Sequence, residues 1–245
     1  MESWVAALSQ DVKPKTVKNS FNLLHAVFER GIRDQRIAFN PCKGVQLPKI
    51  VGDEPQFLTT QEIKLLIEKA GPAHAPVVEL LAKTGMRWGE LAGLQVGDVD
   101  FERRVIRIRR QQTEVNGKMI DKAPKHDKRR VVPLVDSLRP VLEKAIAGKG
   151  DSDLVLTTPR GAVLRVRNER RAWFDAAVKE IGREGFTPHD LRHTFASLAI
   201  KSGANPKALQ AMLGHSSITI TMDRYSHLYP EDLSAFTAGF DELFS

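Results

Sequence analysis

Between residues 99 and 133 the hydrophobic period of the chain switches, and this switch constrains the fold more than any other feature. Val105-Ile106-Arg107-Ile108-Arg109 alternates apolar and basic residues, the pattern of a half-exposed strand. Asn116-Gly117 is a strong hairpin-turn signal, and Arg130-Val131-Val132-Pro133-Leu134 reads as a returning strand. On both sides apolar residues recur at helical spacing. The fold class expected is mainly α with one small antiparallel β-sheet, an α+β arrangement.

Helix boundaries are marked by caps and breakers. Thr16 is placed to cap a helix carrying Val17, Phe21, Leu24, Val27 and Phe28, and Asn40-Pro41 ends that stretch. Residues 46–56, with two prolines and a glycine, suit a linker. Thr59 and Glu62 form a capping-box pattern before Ile63, Leu66 and Ile67. A second helix is expected after Pro76, stopping near Gly85. Later helices follow Asp136 and Asn168. Thr187-Pro188 and Asn205-Pro206 each place a cap before a proline, and Gly214 stops the last of these helices. The domain reading is a short helical segment over 1–45, a linker over 46–56 and a larger domain over 57–245.

Charge and composition narrow the function. The chain holds 37 Lys and Arg against 30 Asp and Glu, a formal charge of +7. The segment Arg103–Arg130 alone carries eleven bases and three acids. A polyanionic partner suits that segment. The tail 230–245 has four acids and no base. The single Cys42 excludes a disulfide within the chain and a cysteine metal cage. No apolar run approaches the ~20 residues of a membrane span, and the first residues do not resemble a secretory signal. A cytoplasmic, nucleoid-associated protein without membrane contact is therefore expected.

Four short motifs carry the chemistry. Arg87 stands in TGMRWGEL, just after a glycine break. His189 and Arg192 share one face of the helix opened by Pro188. His215 follows Gly214 in LGHSS, and Tyr225 lies ten residues further on. Tyr225 and Tyr229 are the two tyrosines of the chain.

With these motifs in this order, the sequence resembles the tyrosine recombinase, or phage integrase, family over about residues 56–245. The resemblance implies that Arg87, His189, Arg192 and His215 are catalytic and that Tyr225 is the nucleophile. The family also places a catalytic lysine in a β-hairpin shortly before a VPL-like strand. Lys125, eight residues before Pro133, fits best, with Lys122 and Lys128 as rivals. Implied, too, are double-stranded DNA as substrate, a 3′-phosphotyrosyl intermediate with a free 5′-hydroxyl, and no metal or other cofactor. Attachment-type sites, a homo-tetramer on DNA from a monomer in solution, and directionality or host accessory factors belong to the same picture. The expected activity is integration or excision of a mobile element or phage genome. The alternatives are type IB topoisomerase-like relaxation and a non-catalytic DNA-binding regulator. Arg107, Arg109, Lys128 and Arg129 are the expected further DNA contacts. Residues 231–245, with apolar residues on one helical face, are expected to dock on a neighbouring protomer. Only about 50 residues precede the linker, the second half of a core-binding domain, so the chain reads as a short integrase or part of a longer one.

The residue chemistry agrees with this. Attack on a phosphodiester builds charge on its non-bridging oxygens, and two guanidiniums can hold those oxygens bidentately. A phenol with a pKa of about 10 needs a base to attack, and His189 is a candidate. His215 can donate to a phosphate oxygen. The deoxyribose leaving group needs an acid, for which a lysine with a lowered pKa is suited.

Overall fold

The computed structural model describes residues 1–50, 55–122 and 129–229. The chain forms two compact units, Met1–Glu54 and Pro55–Ser245.

In the first unit, α1 (Glu2–Asp11) and α2 (Pro14–Arg33) pack around Val5, Val17, Phe21 and Cys42. Helix α2 begins two residues before Thr16, because Pro14 at its first position has no amide hydrogen to leave unpaired. Asn40 closes the unit: its amide donates to Glu29 at 2.7 Å, and its side-chain oxygen accepts from the Cys42 backbone amide. Val27 was expected on the buried face but is exposed, as is Leu23.

The second unit opens with α3 (Thr60–Thr84), capped by the expected reciprocal bonds between Thr59 and Glu62. The break in this helix falls at Gly71, with φ +70°, rather than at Pro76. Pro72 forces it, since a proline cannot donate to the preceding turn. Gly85 ends α3 in the left-handed region, and α4 (Trp88–Ala92) follows.

The central β region forms two sheets, where one was expected. Strands β1 (Val99–Asp100), β2 (Val105–Ile108) and β5 (Arg130–Pro133) make an antiparallel sheet in the order β1-β2-β5, with Ile106 opposite Val132. Ile106 and Ile108 point into the core, as their alternation with basic residues predicts. Strands β3 (Gln111–Val115) and β4 (Lys118–Lys122) form a separate hairpin between β2 and β5 in sequence. Asn116 and Gly117 both have positive φ, as a two-residue primed turn requires. The hairpin lies hard on α4: a Cβ at Gly89 would come within 2.6 Å of the Gln112 carbonyl oxygen.

Helices resume with α5 (Arg139–Ile146). Then α6 (Val166–Glu169) runs through a π turn into α7 (Asp175–Glu180). The unit ends in α8 (Pro188–Lys201), α9 (Pro206–Leu213) and α10 (Ile218–Tyr225). The larger core gathers Leu66, Leu80, Leu81, Ile106, Leu138, Phe174 and Leu191. A smaller one, with Phe195, Leu209, Leu213 and Tyr225, joins α8, α9 and α10.

Candidate active site

The site is built where five helices begin or end. Gly85 turns the chain back at the end of α3, so close to α8 that a Cβ there would sit 2.3 Å from Phe195 Cδ1. Arg87 then becomes the N-cap residue of α4. Glu90, one turn on, accepts from the Arg87 backbone amide at 2.8 Å and from its guanidinium at 2.9 Å. The same carboxylate takes a bidentate pair of bonds from Arg130, at 2.8 and 2.7 Å. Arg130 Nε donates to the Met212 carbonyl at 2.7 Å, and its stem lies against Gly214. Burial would raise the pKa of Glu90, but the bonds and charge of Arg130, with help from Arg87, outweigh it and hold the group at about 2.

Arg192, on α8, is only 2% exposed. Its guanidinium donates to the Gly85 carbonyl at 2.6 Å and to that of Leu213. It therefore ties the α3 and α9 ends to α8. Burial, and then repulsion from Arg87, bring its pKa down to about 9, so it stays charged at neutral pH. Arg87 keeps 31% of its side chain open to solvent. One guanidinium is thus locked into the frame and the other remains reachable.

The Thr187–Asp190 capping box starts α8 and sets His189 in its first turn. His189 has a solvent-exposed edge beside an open cleft of about 310 Å³ that Met86, Trp88, Arg170 and Pro188 also line. Packing over the rest of its ring, then the Arg192 charge, lower its pKa. The left-handed Gly214 ends α9 and delivers His215. His215 Nδ1 lies 2.9 Å from Thr221 Oγ1. Burial, then Arg192 and Arg87, hold the imidazole at about 3, so the ring is neutral at working pH. If Nδ1 accepts from Thr221, the ring hydrogen sits on Nε2.

Tyr225 is wholly buried at the end of α10, and its oxygen lies 2.7 Å from Nδ1 of His193. Burial raises the phenol's pKa, against the charges of Arg192 and Arg224. Tyr229, the other tyrosine, buries its hydroxyl with no hydrogen-bond partner among the described residues.

The structure therefore gathers Arg87, His189, Arg192, His215 and Tyr225 at one place. Lys125 and Lys128 lie outside the described residues, and Lys122 is exposed at the end of β4. Arg129 is exposed before β5. Arg107 on β2 pairs with Asp100, and Arg109 just after it with Asp98 at 3.1 Å and the Gly97 carbonyl, so both of these expected contacts hold carboxylates of their own unit. Sequence reading gave His193 no role and placed Arg130 only in the basic segment and the returning strand. In both cases the contact partner lies on another element, 32 and 40 residues away. No group of acidic, His or Cys residues able to hold a metal occurs among the described residues.

The phage integrase family model matches residues 56–232. The transposase of transposon Tn916 from Enterococcus faecalis is 29% identical over 92% of this chain and 62% of its own length. A XerC-like tyrosine recombinase from Caldanaerobacter subterraneus is also 29% identical, over 96% of this chain and 68% of its own. The Tn1549 transposon integrase in complex with a circular intermediate DNA superposes with a TM-score of 0.82 at 26% identity, covering 98% of this chain and 83% of that one. The chain thus spans about three-fifths of the transposases it resembles. A family match across most of the second unit and a superposition of this extent agree with the site's geometry, and the chain belongs to the phage integrase, or tyrosine recombinase, family.

Proposed function

We propose that the protein is a site-specific recombinase that cuts and rejoins duplex DNA. Tyr225 is the nucleophile and forms a 3′-phosphotyrosyl link. Arg87 and Arg192 hold the non-bridging oxygens of the scissile phosphate, Arg87 from the open side and Arg192 from the frame. His215 donates from Nε2 to the same phosphate. Lys125 protonates the departing 5′-oxygen. The covalent link conserves the energy of the cut bond, so rejoining needs no external energy source.

The observation that carries this reading is the convergence of two guanidiniums, two imidazoles and one phenol, with the phenol close enough to Arg192 for that charge to counter part of the pKa rise that burial imposes. The Tn1549 neighbour, described as a complex with DNA, supports DNA as the partner. The transposase relatives favour movement of a mobile element. A homo-tetramer on DNA, with residues 231–245 docking on a neighbouring protomer, and accessory factors complete the proposal.

The test is a nicked suicide duplex that traps the covalent intermediate. Tyr225→Phe should give no adduct while half-site binding stays near wild type, because one hydroxyl is lost. An adduct that persists in Tyr225→Phe and vanishes in Tyr229→Phe would move the nucleophile.

A further inference from the structure

His193 follows Arg192 directly and takes no part in the chemistry set out above. Its ring is buried, and its Nδ1 is 2.7 Å from the Tyr225 oxygen. A buried phenol hydrogen needs an acceptor. Nδ1 is the atom in reach, so the ring hydrogen sits on Nε2. His189, by contrast, packs its ring edge to face on that of His193, with centroids 4.9 Å apart.

We infer that His193 is a catalytic residue whose Nδ1 takes the phenolic proton as Tyr225 attacks the phosphate. The inference rests on Tyr225 being the nucleophile. In the step, the phenol O–H bond breaks and its electron pair forms the new O–P bond. The proton moves to Nδ1, giving an imidazolium, and the P–O5′ bond breaks with a proton supplied to O5′ by a separate acid. Rejoining runs in reverse, and the imidazolium returns its proton to the departing phenol oxygen.

The charged and titratable groups facing His193 are His189, Asp190 and Arg192 on α8 and Arg224 and Tyr225 on α10. Burial, and then His189, hold its pKa at about 4, so it enters the reaction neutral. A phosphodiester anion docked on Arg192 offsets the cationic repulsion and favours the protonated ring. Because Tyr225 is wholly buried, attack needs a displacement of α10. That displacement has to bring the phenol to the phosphate while its oxygen keeps the contact with Nδ1 of His193, which follows Arg192 directly on α8.

The experiment measures single-turnover adduct formation on the suicide duplex. His193→Asn keeps an oxygen that can accept from Tyr225 but cannot hold its proton. It should slow adduct formation by about 10²-fold, with half-site binding and melting temperature unchanged. Replacing the tyrosines with a fluorinated tyrosine of lower phenol pKa should shrink that defect, because a more acidic phenol needs the base less. A wild-type rate in His193→Asn, or an equal defect with the fluorinated phenol, would overturn the inference. If His193→Asn fails to bind the half-site, His193→Gln is put through the same comparison. Tyr225→Phe measured in parallel separates the two readings: an adduct there sinks the nucleophile assignment and not the role of His193 alone.

Discussion

Glu90 is a single carboxylate shared by Arg87 and Arg130. Its folded pKa of about 2 lies below the ordinary 4.5. A depressed acid stabilises the fold when ionised, so this contribution is complete above pH 4.5 and is lost as the pH falls through about 2. Glu90→Gln leaves Arg130 buried without its counter-charge. Breaking a buried pair in this way costs about 3–5 kcal/mol. The expected outcome is a lower urea midpoint at neutral pH and a flatter acid limb of stability, together with slower adduct formation from a loosened Arg87. An unchanged midpoint would show that solvent takes over the role of the carboxylate. At this scale the sequence was legible where a residue's partner is near in the chain. Glu90 lies three residues after Arg87, a separation at which two side chains share a helix face. The bonds of Glu90 to Arg130 and of Tyr225 to His193 were not legible, since tertiary packing creates them.

Among the elements, the capped helices were the most readable. The Thr59–Glu62 box, Thr187-Pro188 and Asn205-Pro206 each act within four residues, so local chemistry decides them. The strands were readable but their grouping was not. Which strand joins which sheet depends on how the β3–β4 hairpin lies on α4, and no period in the sequence encodes that. The turn at Gly85 shows how tightly elements constrain the site. Gly85→Ala adds a methyl group in a left-handed conformation and drives it into Phe195. We expect a loss of about 1–3 kcal/mol in urea unfolding from the strained backbone alone, and a further fall in adduct formation as Arg87 and the Gly85–Arg192 bond shift. The lysine belongs to this scale as well. Lys125→Ala should slow cleavage of a normal phosphodiester by about 10²–10⁴-fold. A 5′-bridging phosphorothiolate, whose thiolate leaves unprotonated, should be cut almost normally. Equal slowing on both substrates would transfer attention to Lys122 and Lys128.

For the whole molecule, the excess of positive charge predicts strongly salt-dependent DNA binding, with a log–log slope of about −0.9 per phosphate neutralised. The ion pairs on β2 and just after it refine where that charge acts. Arg107 and Arg109 are engaged by Asp100 and Asp98, so Arg107→Ala and Arg109→Ala should leave the salt slope unchanged. Arg129→Ala, which removes an exposed base beside β5, should flatten it by about one unit. Titrations of half-site binding between low and moderate salt decide between the two positions.

The contact of Arg130 with Gly214 has a consequence for engineering by exchange of parts. Arg130, the first residue of β5, fills the space that a side chain at position 214 would need. It also neutralises Glu90. A chimaera that imports a foreign β5 without that arginine leaves the buried Glu90 with Arg87 as its one cation, and a void beside the glycine. Positions 90, 130 and 214 therefore have to be transplanted as a set. In a library randomised at all three, selection for active recombinase should return linked combinations rather than independent choices.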